Sequence, residues 1–292
     1  MRKTIILHHI IESAPKLTLL KQQRKHDSFL VTAEDLLQLP ISINQNATIY
    51  EAIEKIIEHN ISGILVRSET GYGILSQKNI AKILLEESRN IKEITAGQKM
   101  QQLETVDQFT PISNCANLML TKKINMLGIK TGSQVKGIIT KHDLVKYFYM
   151  HANATARLTD IMSIGSFFVQ DTTSLYDALF RMLDNQISRM LVKDEKGKPL
   201  GILTHKNFLN NALYHSNRYN DNVFSTGFGR SCQVSEIMTK RIITVSAQAN
   251  LLKVAKILIE YRVHGVAVTK NQDIAGFVTE KDIVRQISKM DW

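Results

Sequence analysis

Two cysteines, Cys115 and Cys232, are all that 292 residues contain. They form no Cys-x-x-Cys pair, so a thiolate metal knuckle and a disulfide-stapled scaffold are both excluded, and a reducing compartment is expected. Long apolar runs are missing too. Stretches such as Ile5–Leu7 and Gly63–Val66 fall far short of the roughly 18 residues a bilayer-spanning helix needs. The N-terminus, Met1-Arg2-Lys3-Thr4-Ile5-Ile6-Leu7-His8-His9, lacks a small-residue cleavage site and reads as mature sequence. No low-complexity tract appears, which argues against bulk disorder. Gly197-Lys198-Pro199-Leu200-Gly201 lacks the Gly-Lys-Ser/Thr ending of a phosphate-cradling loop and reads as a hairpin turn. His8-His9 has no acidic or cysteine cluster beside it to complete a metal site. A cytoplasmic protein without a membrane span is the resulting expectation.

What is present is apolar content of 43%, enough for real cores, beside 22% charged residues and a formal net charge of +10. Such a balance favours anionic partners, whether nucleotide phosphates or nucleic acid, though diffuse lysines also serve solubility alone.

Internal repetition is the strongest signal. Four segments run Gly, two apolar residues, Ser or Thr, two further residues, then Asn or Asp. They are Gly73-Ile74-Leu75-Ser76-Gln77-Lys78-Asn79, Gly137-Ile138-Ile139-Thr140-Lys141-His142-Asp143, Gly201-Ile202-Leu203-Thr204-His205-Lys206-Asn207 and Gly276-Phe277-Val278-Thr279-Glu280-Lys281-Asp282. Their glycines lie 64, 64 and 75 residues apart, and the closing Asn/Asp positions keep the same spacing. Upstream of each come a short extended run, a turn, an amphipathic helix and a second apolar strand. Ile49, Ala52, Ile53, Ile56 and Ile57 carry the helical period in the first copy, and Leu175, Ala178, Leu179 and Met182 in the third. Cys115 falls where Ala52 and Ala178 fall, so it is expected to be a small core residue. Each unit therefore reads β-α-β-β-α. A unit of about 60 residues is marginal alone, so neighbouring units are expected to pair.

The chemistry of the repeat's ending is legible. A hydroxyl at a strand-to-helix junction sits beside free backbone N–H groups that favour an anion. An Asp one turn later can accept from both hydroxyls of a ribose diol, whereas an Asn has one accepting atom. Helix capping alone also explains Ser or Thr there, followed by a polar third helical residue. The copies differ at the last position: Asp143 and Asp282 are acidic, Asn79 and Asn207 are not.

This β-α-β-β-α unit ending in Gly-apolar-apolar-Ser/Thr-x-x-Asp resembles the CBS (cystathionine-β-synthase) motif, and Thr159-Asp160-Ile161-Met162 and Val234-Ser235-Glu236-Ile237-Met238-Thr239 are similar to its lead-in. The resemblance implies an α/β (α+β) fold of four motifs forming two pseudo-two-fold Bateman modules. The expected divisions are a basic N-terminal extension (1–30), motifs at 31–90, 91–152 and 153–210, a linker insertion (211–232) and a fourth motif at 233–292. It further implies adenosine ligands such as AMP, ADP, ATP or S-adenosylmethionine, bound as regulatory ligands with no required cofactor. One implied site joins Thr140 and Asp143 with the strand around Ile41 and with Lys78 towards a phosphate. The other joins Thr279 and Asp282 with the strand around Phe167, and with Lys206, Arg189 or His264 towards the phosphate. Phe168 is read as core packing rather than as a surface for adenine.

Residues 1–30 carry Arg2, Lys3, Lys16, Lys21, Arg24 and Lys25 against Glu12 and Asp27, read as a packed extension or frayed terminus ahead of a nucleic-acid-binding arm. The linker is either a lid or a solvated insertion. The leading expectation is a regulatory ligand sensor, a homodimer with an unnamed protein partner. The alternative is a nucleic-acid-binding regulator using the basic surface, although no reading helix or RNA signature stands out. No nucleophile–base pair or metal cluster accompanies the motifs, and little chain is left for a catalytic domain, so no enzyme is expected.

Overall fold

Four times along the chain a short strand, a helix, a β-hairpin and a second helix follow in that order. The first unit is β1 (Ser42–Asn44), α1 (Ile49–Glu58), β2 (Gly63–Ser68), β3 (Gly71–Ser76) and α2 (Gln77–Glu86). The second is β5 (Thr105–Asp107), α3 (Ile112–Thr121), β6 (Met126–Thr131), β7 (Gln134–Thr140) and α4 (Lys141–His151), preceded by β4 (Gln101–Gln102). The third is β8 (Phe168–Gln170), α5 (Leu175–Asp184), β9 (Arg189–Lys193), β10 (Pro199–Thr204) and α6 (His205–Tyr219). The fourth is β11 (Thr244–Ser246), α7 (Leu251–Glu260), β12 (Gly265–Lys270), β13 (Asp273–Thr279) and α8 (Glu280–Ile287). The structure, a computed structural model, describes residues 30–153, 156–163, 168–219, 224, 228–271 and 273–289. The N-terminal extension and most of residues 220–227 lie outside the described residues.

Local sequence accounts for these elements. In every unit the helix crossover makes the first two strands parallel, and the hairpin makes the second pair antiparallel. The β9–β10 hairpin turns on Gly197 at φ +81°, a conformation glycine adopts without Cβ strain. Thr48 and Glu51 form a capping box at the start of α1, which satisfies two otherwise free N–H groups. The apolar stripe of α1, Ile49, Ala52, Ile53 and Ile56, is fully buried.

Two kinds of contact assemble the units. Consecutive units exchange their lead-in segments. The lead-in of unit one crosses β7 of unit two, with Gln38 and Ile138 bonded in both directions at 2.9 Å, while β4 of the second lead-in pairs with β3 of unit one. Units three and four repeat the exchange: Ser163 pairs with Phe277, and Ile202 with Thr239. These crossings explain the repeat's glycines. A Cβ on Gly201 would stand 2.7 Å from the Thr239 carbonyl oxygen, on Gly276 2.7 Å from that of Ser163, and on Gly137 2.8 Å from that of Gln38. A backbone crosses where the side chain would be.

Alternate units share helical cores. Ile53, Ile56 and Leu84 of unit one pack in one cluster with Leu179, Met182 and Phe208 of unit three. Met119, Leu144 and Phe148 of unit two join Leu258, Ile283 and Ile287 of unit four in another. A smaller apolar cluster, Leu65, Leu103, Met126 and Ile138, seals the sheets of units one and two together. Cys115 is fully buried in its core.

Equivalent turns in the four units are bonded to one another. Asn60, Lys123, Gln186 and Arg262 each follow a first helix and each has positive φ, 51°, 57°, 55° and 49°. This left-handed conformation is the usual one just past a helix end, though glycine or asparagine normally fills it. Asn60 donates to the Arg262 carbonyl at 3.2 Å, and Lys123 donates to Gln186 Oε1 at 2.7 Å. Side chains that link units occupy positions where a glycine would be easier locally.

Candidate functional site

Each unit places its Ser/Thr-x-x-Asn/Asp ending at the start of its second helix, and in all four the last residue caps that helix with one oxygen. Thr140 N and Oγ1 donate to Asp143 Oδ2 at 3.0 and 2.6 Å. Thr279 N and Oγ1 donate to Asp282 Oδ2 at 2.9 and 2.8 Å. Ser76 N donates to Asn79 Oδ1 at 3.2 Å, and Thr204 N and Oγ1 donate to Asn207 Oδ1 at 2.8 Å each. Capping is common to the four; the remaining atom separates them.

The free oxygens of the two aspartates lie against cations one turn further on. Asp282 Oδ1 accepts from Arg285 Nη1 at 3.0 Å, and Asp143 Oδ1 lies 3.5 Å from Lys146 Nζ. Both carboxylates are buried, at 2% and 7% exposure, but their cations are 41% and 46% exposed as side chains. Such half-exposed pairs are weak enough for a ligand to displace. Asn207 is spoken for differently. Its amide nitrogen donates to the Ile237 carbonyl at 2.8 Å and to Thr239 Oγ1 at 3.1 Å. It thereby ties the lead-in of unit four to unit three, and only a residue with a donor beside its acceptor can do both jobs.

The residues expected around a phosphate are spread over the junctions between units. Arg189 opens β9 with a half-buried side chain, and its guanidinium occupies the hollow left by Gly265: a Cβ there would stand 1.6 Å from Nη1. Its Nε is sealed from solvent and has no hydrogen-bond partner. Burial pushes its pKa down, opposed by the charges of Glu280 and Asp282. Lys206 of unit three donates to Asn60 Oδ1 of unit one. His264 Nδ1 lies 3.0 Å from Glu280 Oε2. Lys78 is exposed at the start of α2 and close enough to raise the local potential at His205. Ile41 is half-buried and packs against the core of units one and three, three residues past the Gln38 crossing on unit two. Phe167 lies outside the described residues. Phe168 corrects the reading as core packing: it is 43% exposed, with Lys193 Nζ 4.8 Å above its ring. The alternation along β8 buries Val169 instead.

A buried polar cluster at the second-helix starts was not anticipated from sequence. Glu280, first residue of α8, is within hydrogen-bond distance of both His142 of unit two, at 2.8 Å, and His264 of its own unit. Burial would raise its pKa, but the two imidazoles prevail and hold it at about 2. Lys141, in the equivalent place on α4, donates to Asn125 Oδ1 at 3.1 Å, and burial pulls it down to about 8 against the pull of Glu280. His205, first in α6, is lowered to about 4 by burial, then by Lys78 and Arg189, and its Nε2 has no partner. The only signal in the sequence is that Gln77, Lys141, His205 and Glu280 share one repeat position yet differ in charge.

His205 yields a pH prediction. Its folded pKa lies below the unfolded value of 6.5, so between those values the unfolded chain binds more protons. Stability is therefore expected to be full above pH 6.5 and to fall as pH drops towards 4. Urea unfolding across this range should show the slope, and His205→Gln should flatten it. An unchanged slope in the variant would refute the assignment.

Among the described residues no helix is long and apolar enough to cross a membrane, and no cluster of His, Cys, Asp and Glu could hold a metal.

Comparison with known proteins agrees with this architecture. Protein MJ1225 of Methanocaldococcus jannaschii is 24% identical over 73% of this chain and 75% of its own length. Its crystal structure, described as that of a proposed archaeal homologue of g-AMPK, superposes with a TM-score of 0.77 at 20% identity, covering 88% of this chain and 99% of that one. At that identity the likeness shows the fold alone. The uncharacterized protein MJ1404 of the same organism is 27% identical over 53% of this chain, which spans only 37% of that protein. An L-aspartate semialdehyde sulfurtransferase from the same source is 29% identical over 41% of this chain and 23% of its own length. The CBS domain family model matches residues 33–86, 158–214 and 234–289, more than half of the chain, and unit two repeats the same order of elements. The chain belongs to the CBS domain family.

Proposed function

We propose that this chain is a ligand-sensing regulatory protein that binds adenosine-containing molecules, adenine nucleotides first among them, between paired CBS motifs. The ribose diol is taken by Asp282 in units three and four and by Asp143 in units one and two, each exchanging its exposed lysine or arginine partner for two sugar hydroxyls. Thr140 and Thr279, at the same helix starts, stand on the phosphate side. The segment around Ile41 and the strand opened by Phe168 supply the walls for adenine.

One observation carries the reading. Arg189 is half-buried beside Asp282, forms no ion pair among the described residues, and keeps Nε sealed without a partner. Desolvating part of a guanidinium is unfavourable, Glu280 and Asp282 offset it only through their charges, and a phosphate would add charge-assisted hydrogen bonds.

Binding regulates only if the ligand prefers one arrangement of the units over another. The crossed lead-ins and the side-chain links among Asn60, Arg262, Lys206, Lys123 and Gln186 provide contacts that such a preference would act on. The reading assigns no catalytic step. Both thiols are buried, with pKa values pushed up to about 11 at Cys115 and about 12 at Cys232, so neither is a ready nucleophile.

Thermal melting tests this. AMP at saturating concentration is expected to raise the melting temperature, and Asp282→Ala should weaken AMP binding by about 10-fold or more, the worth of hydrogen bonds to a charged group. If AMP, ADP, ATP and S-adenosylmethionine all leave the melting temperature unchanged, the reading fails.

A further inference from the structure

The second helix of unit three outruns its counterparts. α6 has 15 residues, against 10 in α2, 11 in α4 and 8 in α8, so the repeat itself does not demand its last turn. That turn is held firmly all the same. His215 and Ser216 are buried, Ser216 Oγ donates to Asn90 Oδ1 at 3.0 Å, and Lys92 Nζ donates to the Ser216 carbonyl at 3.3 Å. The other side of α6 is open. Asn210, Asn211, Tyr214, Asn217 and Arg218 follow one another along it at helical spacing, over roughly 12 Å. Tyr214 and, beside it, Tyr219 are 57% and 53% exposed. The Arg218 guanidinium lies between them, its Cζ 5.9 Å from the Tyr214 ring and 5.7 Å from the Tyr219 ring. Asn217 Nδ2 donates to the Tyr50 hydroxyl of α1 at 2.9 Å, and Lys92 Nζ stands 4.9 Å from that ring. Neither Arg218 nor Lys92 is paired with a carboxylate among the described residues. At the near end of the face, Asn207, Asn210, Asn211 and Tyr214 line a cavity of about 350 Å³ with Glu236 and Ile237 from the lead-in of unit four.

We infer that this face of α6 binds single-stranded nucleic acid. An unpaired nucleotide presents a flat apolar ring, a polar base edge and a negative phosphate, and the face has a counterpart for each. Exposed tyrosine rings stack on bases of any sequence. Arg218 and Lys92 offer phosphates charge-assisted hydrogen bonds. The carboxamides of Asn210, Asn211 and Asn217 carry a donor and an acceptor apiece for base edges. Glu236 in the cavity is suited to accept from an exocyclic amine such as that of cytosine. The cavity is of the size that takes a small ligand, and only an unstacked base can enter it. The formal charge of +10 adds long-range attraction for a polyanion. A duplex hides its base faces, and a membrane surface calls for protruding apolar side chains, where this face carries amides. The face holds neither Asp143 nor Asp282, so the inference stands apart from the adenosine clefts.

Fluorescence anisotropy of the full chain with a labelled single-stranded RNA of about ten nucleotides tests the idea, beside the duplex of the same sequence. The single strand is expected to bind at least about 10-fold more tightly than the duplex. Its affinity should fall with salt at a log–log slope near about −1.4, the mark of about two neutralised phosphates. Tyr214→Ala should weaken binding by about 10-fold, the worth of one stacked base. Arg218→Ala should weaken it as well and reduce the salt slope by about 0.7. Both changes are at exposed helical positions, so melting temperatures are expected to match the wild type. Saturating AMP should not displace the RNA. Absence of RNA binding would overturn the inference, as would equal affinity for the duplex. Unchanged affinity in both variants would place the binding elsewhere on the basic surface, and displacement by AMP would place it in the adenosine clefts; either result overturns the inference. Capture of phosphatidylserine–phosphatidylcholine vesicles without RNA binding, lost in the two variants, would assign the face to a membrane instead. None of these outcomes touches the proposed function, which AMP-dependent melting tests separately.

Discussion

Glu280→Ala is expected to destabilise the chain by about 1–3 kcal/mol, the scale seen when buried polar groups lose their hydrogen-bond partner. Glu280 is the only acid within hydrogen-bond distance of His142 and His264 among the described residues. Lys141 and Arg189 both feel its charge. Alanine would leave His142 and His264 without that partner, and Lys141 and Arg189 with only Asp282 to offset their charge. The loss should also loosen unit two from unit four, because His142 and His264 belong to different units. Glu280→Gln keeps the volume and one accepting atom, and should cost clearly less. The sign of the pH dependence follows from the depressed pKa, about 2 against an ordinary 4.5. The unfolded carboxyl takes up its proton first, so the stabilisation is present above pH 4.5 and drains away as pH falls towards 2. Urea denaturation of wild type and both variants at neutral pH provides the measurement. Equal midpoints would show that the cluster is not holding the units together.

Gly201→Val is expected to be the other severe substitution, costing about 3 kcal/mol and disrupting the lead-in crossing it sits beneath. Its added atoms would meet the Thr239 carbonyl, which is 2.7 Å from the Cβ position, and the Met238 side chain, 2.9 Å away at Sδ. The backbone cannot retreat easily. Ile202 and Thr239 are bonded to each other in both directions at 2.9 Å, and Asn207 also holds Thr239. Gly197→Ala makes the informative comparison. Nothing lies within 4 Å of that Cβ, but φ is +81°, so the cost there is backbone strain alone, about 1–2 kcal/mol. Chemical denaturation should rank Gly201→Val well below Gly197→Ala in stability. Equal losses would mean that the repeat's glycine serves turn geometry and not the crossing of another unit.

The glycine was the easiest element to read in the sequence and the hardest to explain from it. Spacing exposes Gly73, Gly137, Gly201 and Gly276 as equivalent, because a repeated demand on the backbone leaves a repeated residue. The cause lies in a segment from the neighbouring unit, which local pattern does not reveal. Thr140, Asp143, Thr279 and Asp282 were legible for a related reason: capping is local, and the capping box spans three residues. Long-range partners were not. Asn207 reads as a weakened ribose handle, whereas its amide ties the next lead-in in place. Phe168 reads as core because it is aromatic, yet its place in β8 faces solvent while Val169 turns inward. The sharing of helical cores between units one and three, and between two and four, is likewise invisible in a sequence whose strongest rhythm links neighbours. Arg189 could be placed near a phosphate by resemblance, but its seat in the hollow of Gly265 could not be read from the sequence.

Native mass spectrometry of the purified chain after exposure to adenine nucleotides tests the central claim most directly. The account predicts a species heavier by one bound AMP, ADP or ATP, and predicts that Asp282→Ala loses that species. A spectrum with no adduct from any of these nucleotides or from S-adenosylmethionine, at concentrations up to the millimolar range of a weak ligand, would contradict it.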